Sequence, residues 1–301
     1  MRYRTDLAIE YVEDFESAAE LSGDDTVRKL IDGAEIEEKT YDEDIKVTRI
    51  RITDERGEMF FKKRKGNYIT LEVDGIVDEK EGIRERGSKA LANELVRLTG
   101  EDRNLNVLVT GLGNDKVTPD ALGPFTVSKL RVTRHLYTIY NMERDPDISN
   151  VSAFVPGVTG TTGIETAELI KRAVEIVKPD VVIVIDSLAA RNVSRINTTI
   201  QINDTGISPG SGMGNVRKML DRETLGCKVI AIGVPTVIDA GTLVIDALSK
   251  FENDNDAIDS YLNENEFDMV VTSTDIDTVI KDFSDIIANG INIMLHPGIY
   301  S

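Results

Sequence analysis

Residues 111–124 read GLGNDKVTPDALGP, and the reading of this stretch decides the fold. It follows the apolar run NVLVT, residues 106–110, which reads as a buried strand. It precedes a helical pattern over residues 125–130. A strand that feeds a Gly-rich turn and then a helix puts that turn at the carboxyl edge of an α/β sheet, where open α/β folds bind their ligands. The turn carries one carboxylate, Asp120, directly after Thr118-Pro119. A second carboxylate, Asp186, closes the run VVIVI, residues 181–185, whose apolar continuity marks a strand buried on both faces. The expectation is that two strands each deliver an aspartate at their carboxyl ends and that the two side chains meet.

Outward from these strands, helical and strand patterns alternate over residues 80–290. Leu91, Leu95 and Leu98 give helical spacing within residues 80–98, with Gly100 as a stop. Strands are predicted at 151–155, 198–202, 229–234 and 270–271, and helices at 164–177, 242–250 and 275–287. Thr162 and Glu165 have capping-box spacing for the helix ending near Pro179, and Gly290 is the expected stop of the last one. Nearer the N-terminus, Ile50–Ile52 and Tyr68–Val73 alternate as an antiparallel pair, and a short helix is expected near residues 11–21. The fold class is therefore α/β, a three-layer sandwich around a mostly parallel sheet with an antiparallel elaboration near the N-terminus.

Composition narrows the function classes. The 301 residues carry a net charge of −18, and residues 1–45 hold fifteen acidic against five basic residues. Such a surface repels nucleic acid and acidic membranes. The basic cluster Lys62-Lys63-Arg64-Lys65 reads as a solvated turn. No run approaches the ~18 apolar residues of a membrane span, and MRYRTDLAIE lacks a signal-peptide core, so an intracellular protein is expected. The single Cys227, beside Gly226 at a strand entrance, reads as packing and excludes a Cys-rich zinc site.

Several chemistries lack their residues. Gly111-Leu112-Gly113 lacks the third glycine of a dinucleotide loop, because position 116 is Lys. The loop at 208–215, SPGSGMGN, follows a polar segment, which is the wrong context for that motif. With only His135 and His296 and no G-x-S-x-G elbow, a serine triad has few candidate bases. No HExxH is present, and no metal or other cofactor is expected. The aspartate pair stands apart. Two carboxylates a few ångströms apart cannot both ionise easily, so they share a proton, which supplies a base for water and an acid for a carbonyl. Without further information Asp120 also reads as a helix N-terminal acid and Asp186 as a cap of the following turn. The rival of another class is a non-hydrolytic α/β module that binds an anionic small molecule through its two Gly-rich loops.

The strings RTDLAIE, YITLEVDGI, GLGNDKVTPDALGP, VTRHL, PGVTGTTGIETAELI, KPDVVIVIDSLAARNVSRINTTIQINDTGISPGSGMGN, ETLGCKVIAIGVPTVIDA and NGINIMLHP resemble the spore germination protease family of endospore-forming bacteria. That resemblance runs nearly end to end. It implies an endopeptidase of atypical aspartic type that degrades small acid-soluble spore proteins, in the spore core, when spores germinate. It implies a fold related to the hydrogenase-maturation peptidases, whose nickel-recognising His has no equivalent here. The paired aspartates of the family match Asp120 and Asp186. The resemblance also implies a homotetramer, made as a zymogen that removes its own N-terminal segment. The matching bond here is Asp6–Leu7, which makes residues 1–6 a short pro-segment and 7–301 the peptidase domain, with 7–77 as the elaboration within it. On that reading Gly111, Gly113 and Asn114 shape the floor of the site and offer donors to an oxyanion, and Arg191 pairs with an acidic side chain beside the scissile bond. Residues 251–269 read as a solvated acidic connection, where longer family members carry an insertion.

Overall fold

A computed structural model of the chain describes residues 5–13, 33–100, 104–210, 217–248 and 269–300. The acidic connection, the tip of the second Gly-rich loop and most of the expected helix near residues 11–21 lie outside the described residues. Of that helix, residues 9–13 are helical.

Among the described residues, nine strands form one sheet: β1 (Ala34–Asp42), β2 (Ile45–Ile52), β3 (Gly66–Val73), β4 (Asn106–Gly111), β5 (Asn150–Phe154), β6 (Val181–Ala190), β7 (Thr199–Asn203), β8 (Lys228–Asp239) and β9 (Val270–Val271). Their order is β1-β2-β3-β7-β8-β6-β4-β5, with β9 on the end of β8. The block β8-β6-β4-β5 is parallel. Strands β1, β2, β3 and β7 join it in antiparallel fashion, so the N-terminal elaboration continues the same sheet. In the parallel block the chain leaves β4 for β5 on one side and returns to β6 on the other. The carboxyl ends of β4 and β6 thus form the topological switch point, the ligand-binding crevice of open α/β sheets.

Five principal helices flank the sheet: α1 (Ile83–Thr99), α2 (Leu122–Ser128), α3 (Thr166–Val177), α4 (Ala240–Leu248) and α5 (Ile276–Leu295). Because side chains alternate along a strand, each strand feeds two cores. Val107, Val109, Ile183 and Ile185 point to one face and pack with Leu91 and Leu95 of α1, Leu122 of α2 and Phe283 and Ile287 of α5. Leu108, Val182 and Val184 point to the other face and pack with Ile170 of α3. Farther along that second face, Ile50, Ile52, Tyr68, Leu188 and Ala190 are covered by Leu7, Ala8, Ile9 and Val12 of the N-terminal segment. Two different covers therefore share one face, and the gap between them is where the chemistry sits.

Three sequence expectations need correction. The strand at 181–185 runs on to Ala190, pairing Asp186 with Gly233 and Ala190 with Ile238 across a bulge after Leu188. Polar Asp186 and Ser187 interrupt the apolar signal, but Gly233 has no side chain and lets Leu188 pack over it; a Cβ there would lie 2.5 Å from the Leu188 side chain. The last helix does not stop at Gly290. It continues to Leu295, because α1 crosses α5 there so closely that a Cβ on Gly290 would lie 2.8 Å from Leu91. The Thr162–Glu165 capping box does not form. Thr162 ends a separate short helix, Thr159–Thr162, and Glu165 stands at the N-cap of α3 without a side-chain bond to it.

Candidate active site

The turn after β4 is built by backbone approach. Gly113 has φ +102°, and a Cβ on it would lie 2.0 Å from the Asp120 carbonyl oxygen. A Cβ on Gly111 would lie 2.2 Å from the Gly123 carbonyl, so β4 and α2 can meet only through glycine. The Asn114 N–H donates to the Asp120 carbonyl at 2.9 Å, and the Leu112 N–H donates to the Ile185 carbonyl at 2.8 Å. A third tie comes from β8, where the Thr236 hydroxyl donates to the Pro119 carbonyl at 2.7 Å. Asp120 thus ends a 3-10 turn, Thr118–Asp120, that is clamped to both β6 and β8.

Asp186 is the sixth residue of β6 and shares the second face with Val184 and Leu188. It lies between the part of that face covered by α3 and the part covered by the N-terminal segment. A cleft of about 340 Å³ opens there, lined by Asp120, Asp186, Gly113, Asp6, Thr236 and Arg217 among others. The two expected aspartates therefore converge in one cleft.

Both carboxyls are held far from their ordinary behaviour. Burial pushes Asp120 up to about 6, against the opposing pull of the Asn114 N–H and Arg217. Asp186 is raised well above the usual carboxylate range, first by burial, then by the charge of Asp120 and then by that of Asp6. Its Oδ1 accepts the Ser187 N–H at 3.0 Å, which compensates only in part. Near neutral pH this favours an ionised Asp120 beside a protonated Asp186. One group can then take a proton from water while the other gives one to a carbonyl or a leaving nitrogen.

The supporting assignments fare unevenly. Gly113 lines the cleft, whereas Gly111 serves the strand–helix approach. Asn114 is occupied in the turn: its N–H meets Asp120 and its side-chain oxygen accepts the Lys116 N–H at 3.1 Å. Arg191 meets two acids, one through its backbone and one through its guanidinium. Its N–H donates to the Glu10 carboxylate at 3.0 Å, and its guanidinium lies 3.6 Å from Asp246.

The bond expected to be cut, Asp6–Leu7, lies at the rim of this cleft. Asp6 docks on β6 in two ways: its N–H donates to the Ala189 carbonyl, and its carboxylate accepts the Ala189 N–H, both at 2.9 Å. Leu7 and Ala8 are fully buried beyond it. Glu10, also fully buried, anchors the segment by accepting the N–H groups of Arg191 and Asn192.

Three residues escaped the sequence reading. Arg217 lines the cleft and acts electrostatically on both aspartates. Nothing marks it in the sequence beyond its place after the Gly-rich loop. The basic cluster is not simply solvated. Lys63 donates to the Asp6 carbonyl at 2.9 Å, and Arg64 donates to Asp221 at 2.7 Å. No periodicity distinguishes those two from Lys62 and Lys65.

Comparison with known proteins places this geometry in context. The germination protease family profile matches residues 8–251. A germination protease of Caldanaerobacter subterraneus subsp. tengcongensis is 44% identical over 98% of this chain and 95% of its own length. One from Clostridium perfringens is 43% identical over 98% of this chain and 95% of its own. One from a Geobacillus species is 45% identical over 81% of this chain and 66% of its own. Among solved structures, the NiFe hydrogenase maturation protease HycI of Thermococcus kodakarensis matches 66% of this chain and 99% of its own, with 15% identity and a TM-score of 0.34.

Proposed function

The chain belongs to the germination protease family, and from that premise we propose that it is an endopeptidase that hydrolyses small acid-soluble spore proteins through the Asp120–Asp186 pair. The observation that carries the mechanism is the convergence of these two side chains, from different strands, in one cleft where both are pushed toward protonation. Ionised Asp120 removes a proton from a water molecule as its oxygen attacks the peptide carbonyl. Protonated Asp186 supports the carbonyl oxygen and gives its proton to the leaving nitrogen as the C–N bond breaks. The pair ends with its two protonation states exchanged and returns to the start by proton transfer with solvent.

We further propose that the chain cleaves its own Asp6–Leu7 bond in the same cleft, releasing residues 1–6, and that it works as a homotetramer in the spore core. Docking of Asp6 on Ala189 beside the cleft supports the self-cleavage. Light scattering of the purified protein tests the tetramer.

The central test uses Asp120→Asn and Asp186→Asn separately, each confirmed as folded by circular dichroism. Each is incubated with a purified small acid-soluble spore protein, and fragments are read by mass spectrometry. Loss of a general acid or base of this kind costs about 10²–10⁴-fold. A folded variant that cuts at near-native rate sinks the assignment of the pair.

A further inference from the structure

The mechanism above leaves the carbonyl oxygen of the self-cleaved bond without a cationic partner, and the N-terminal half of the molecule holds one against it. Lys63 Nζ lies 2.9 Å from the Asp6 carbonyl oxygen, in hydrogen-bonding position. That oxygen belongs to the Asp6–Leu7 peptide. Asp6 uses its N–H and its carboxylate to dock on Ala189 of β6, which leaves its carbonyl to meet the ammonium.

We propose that Lys63 is a catalytic residue of the self-cleavage, its ammonium holding the Asp6 carbonyl oxygen and stabilising the negative charge that gathers there when water attacks. The assignment rests on the reading that the chain cuts its Asp6–Leu7 bond. Water adds to the Asp6 carbonyl carbon, and its proton passes to the carboxylate of the aspartate pair. The oxyanion of the tetrahedral intermediate stays on Lys63. The C–N bond to Leu7 then breaks as the protonated partner of the pair gives its proton to the leaving nitrogen. The products are a carboxylic acid on Asp6, which loses its proton to solvent, and an amine on Leu7.

The placement of Lys63 is built in. The helix Glu55–Phe61 ends at Lys62 in a left-handed conformation, φ 51°, which redirects the chain. Fully buried Phe61 anchors that turn against Tyr11 of the N-terminal segment, ring centroids 6.5 Å apart. Tyr68 OH donates to the Arg64 carbonyl at 2.8 Å and fixes the following residue. The loop that carries the ammonium and the segment that carries the scissile bond therefore share one packed cluster. Charge fits as well. Burial lowers the proton affinity of Lys63 below the usual lysine range, and the charges of Asp6 and Glu10 oppose that pull. A fixed, desolvated cation at a developing oxyanion needs no rearrangement at the moment of reaction, which is why such donors weigh heavily in catalysis.

A purely anchoring lysine would make the same hydrogen bond, so the experiment separates the two roles. Release of residues 1–6 is followed by intact mass for the full chain and for Lys63→Met, Lys63→Gln and Lys63→Arg. Hydrogen exchange at residues 7–12 is measured with each substitution in an Asp186→Asn background, where the bond stays whole. The expected result is a first-order rate lowered about 10²–10³-fold in Lys63→Met and Lys63→Gln, with exchange protection unchanged and the rate partly restored in Lys63→Arg. Cleavage within threefold of native in a folded Lys63→Met overturns the proposal while leaving self-cleavage intact. Loss of protection over residues 7–12 overturns it too, by reducing Lys63 to an anchor. A native chain that never releases residues 1–6 overturns the self-cleavage reading itself, and the role of Lys63 with it.

Discussion

The Leu112 N–H donates to the Ile185 carbonyl at 2.8 Å, and this bond ties the turn that carries Asp120 to β6 one residue before Asp186. It continues the β4–β6 ladder, whose last pair is Gly111 with Ile185, by one step beyond the strand. The two acids are consequently held in register by backbone, not by their own side chains. That is an economical way to keep two groups together that repel one another when both are charged.

The pH dependence of cleavage follows from this pairing. With Asp120 at about 6, the base is protonated and idle below that pH and ionised above it. Asp186, raised well above the usual carboxylate range by burial and by the charge of Asp120, supplies the proton, and its ionisation at higher pH sets the basic limb. The expected profile of kcat/KM is a bell whose acid limb turns near 6, with both limbs belonging to the coupled pair. A rate that stays flat from pH 4 to pH 9 contradicts it.

Arg217 should move that acid limb. It favours the ionised forms of both aspartates, so Arg217→Ala leaves them easier to protonate. The limb is expected to shift to higher pH, with the cleavage site unchanged. A rate profile superimposable on the native one would remove Arg217 from the site's electrostatics.

Stability should run against activity at Asp186. A carboxyl whose folded value is raised stabilises fully below its unfolded value, near 3.8, and that contribution is lost as pH rises through the folded value. Asp186→Asn, which carries no charge at any pH, should therefore melt higher than the native chain at pH 8. Each ~1 kcal/mol of relief raises Tm by about 2–4 °C in a chain of this size class. The difference should close as pH falls toward 4. Thermal melts across that range decide it, and a variant less stable at pH 8 refutes the argument.

Gly113→Ala tests the turn geometry. The new Cβ meets the Asp120 carbonyl at 2.0 Å, on a residue with φ +102°, so the turn must open and Asp120 must move. The expected cost is about 1–3 kcal/mol, accompanied by a drop in cleavage rate far larger than the loss of folded protein explains. Gly160→Ala provides the contrast, since a Cβ there meets nothing within 4 Å and should leave both quantities unchanged.

Away from the site, Arg49 and Glu94 form a buried pair, with two hydrogen bonds at 2.6 and 2.8 Å and Glu94 fully buried. Arg49→Met removes the main partner of the buried Glu94 charge, leaving it the Tyr41 hydroxyl and Arg97 at 3.9 Å, and should cost about 3–5 kcal/mol, whereas the double variant Arg49→Met with Glu94→Leu should cost far less. Chemical denaturation of the native chain, each single variant and the double variant measures the coupling. Additive single and double effects would mean the pair is not acting as a unit.

Much of this was legible along the chain. Short apolar runs marked β4, β6 and β8, and the leucines at 91 and 95 marked α1. What misled the reading at Gly290 and Asp186 was a neighbour from elsewhere in the sequence. Gly290 reads as a stop until Leu91 is seen lying across it, and Asp186 reads as a strand end until Gly233 is seen opposite. Lys63 and Lys62 are indistinguishable in sequence, yet one meets the Asp6 carbonyl and the other is exposed.

The order of amino acids, through hydrophobic periodicity and the glycines that permit tight turns, determined an α/β chain with one aspartate after β4 and another on β6. Tertiary structure decided what those aspartates are. Their proton affinities come from burial in the cleft between two separate covers, α3 and the N-terminal segment, and from neighbouring charge. Both are properties of distances between residues far apart in the chain, and local pattern carries no record of such distances.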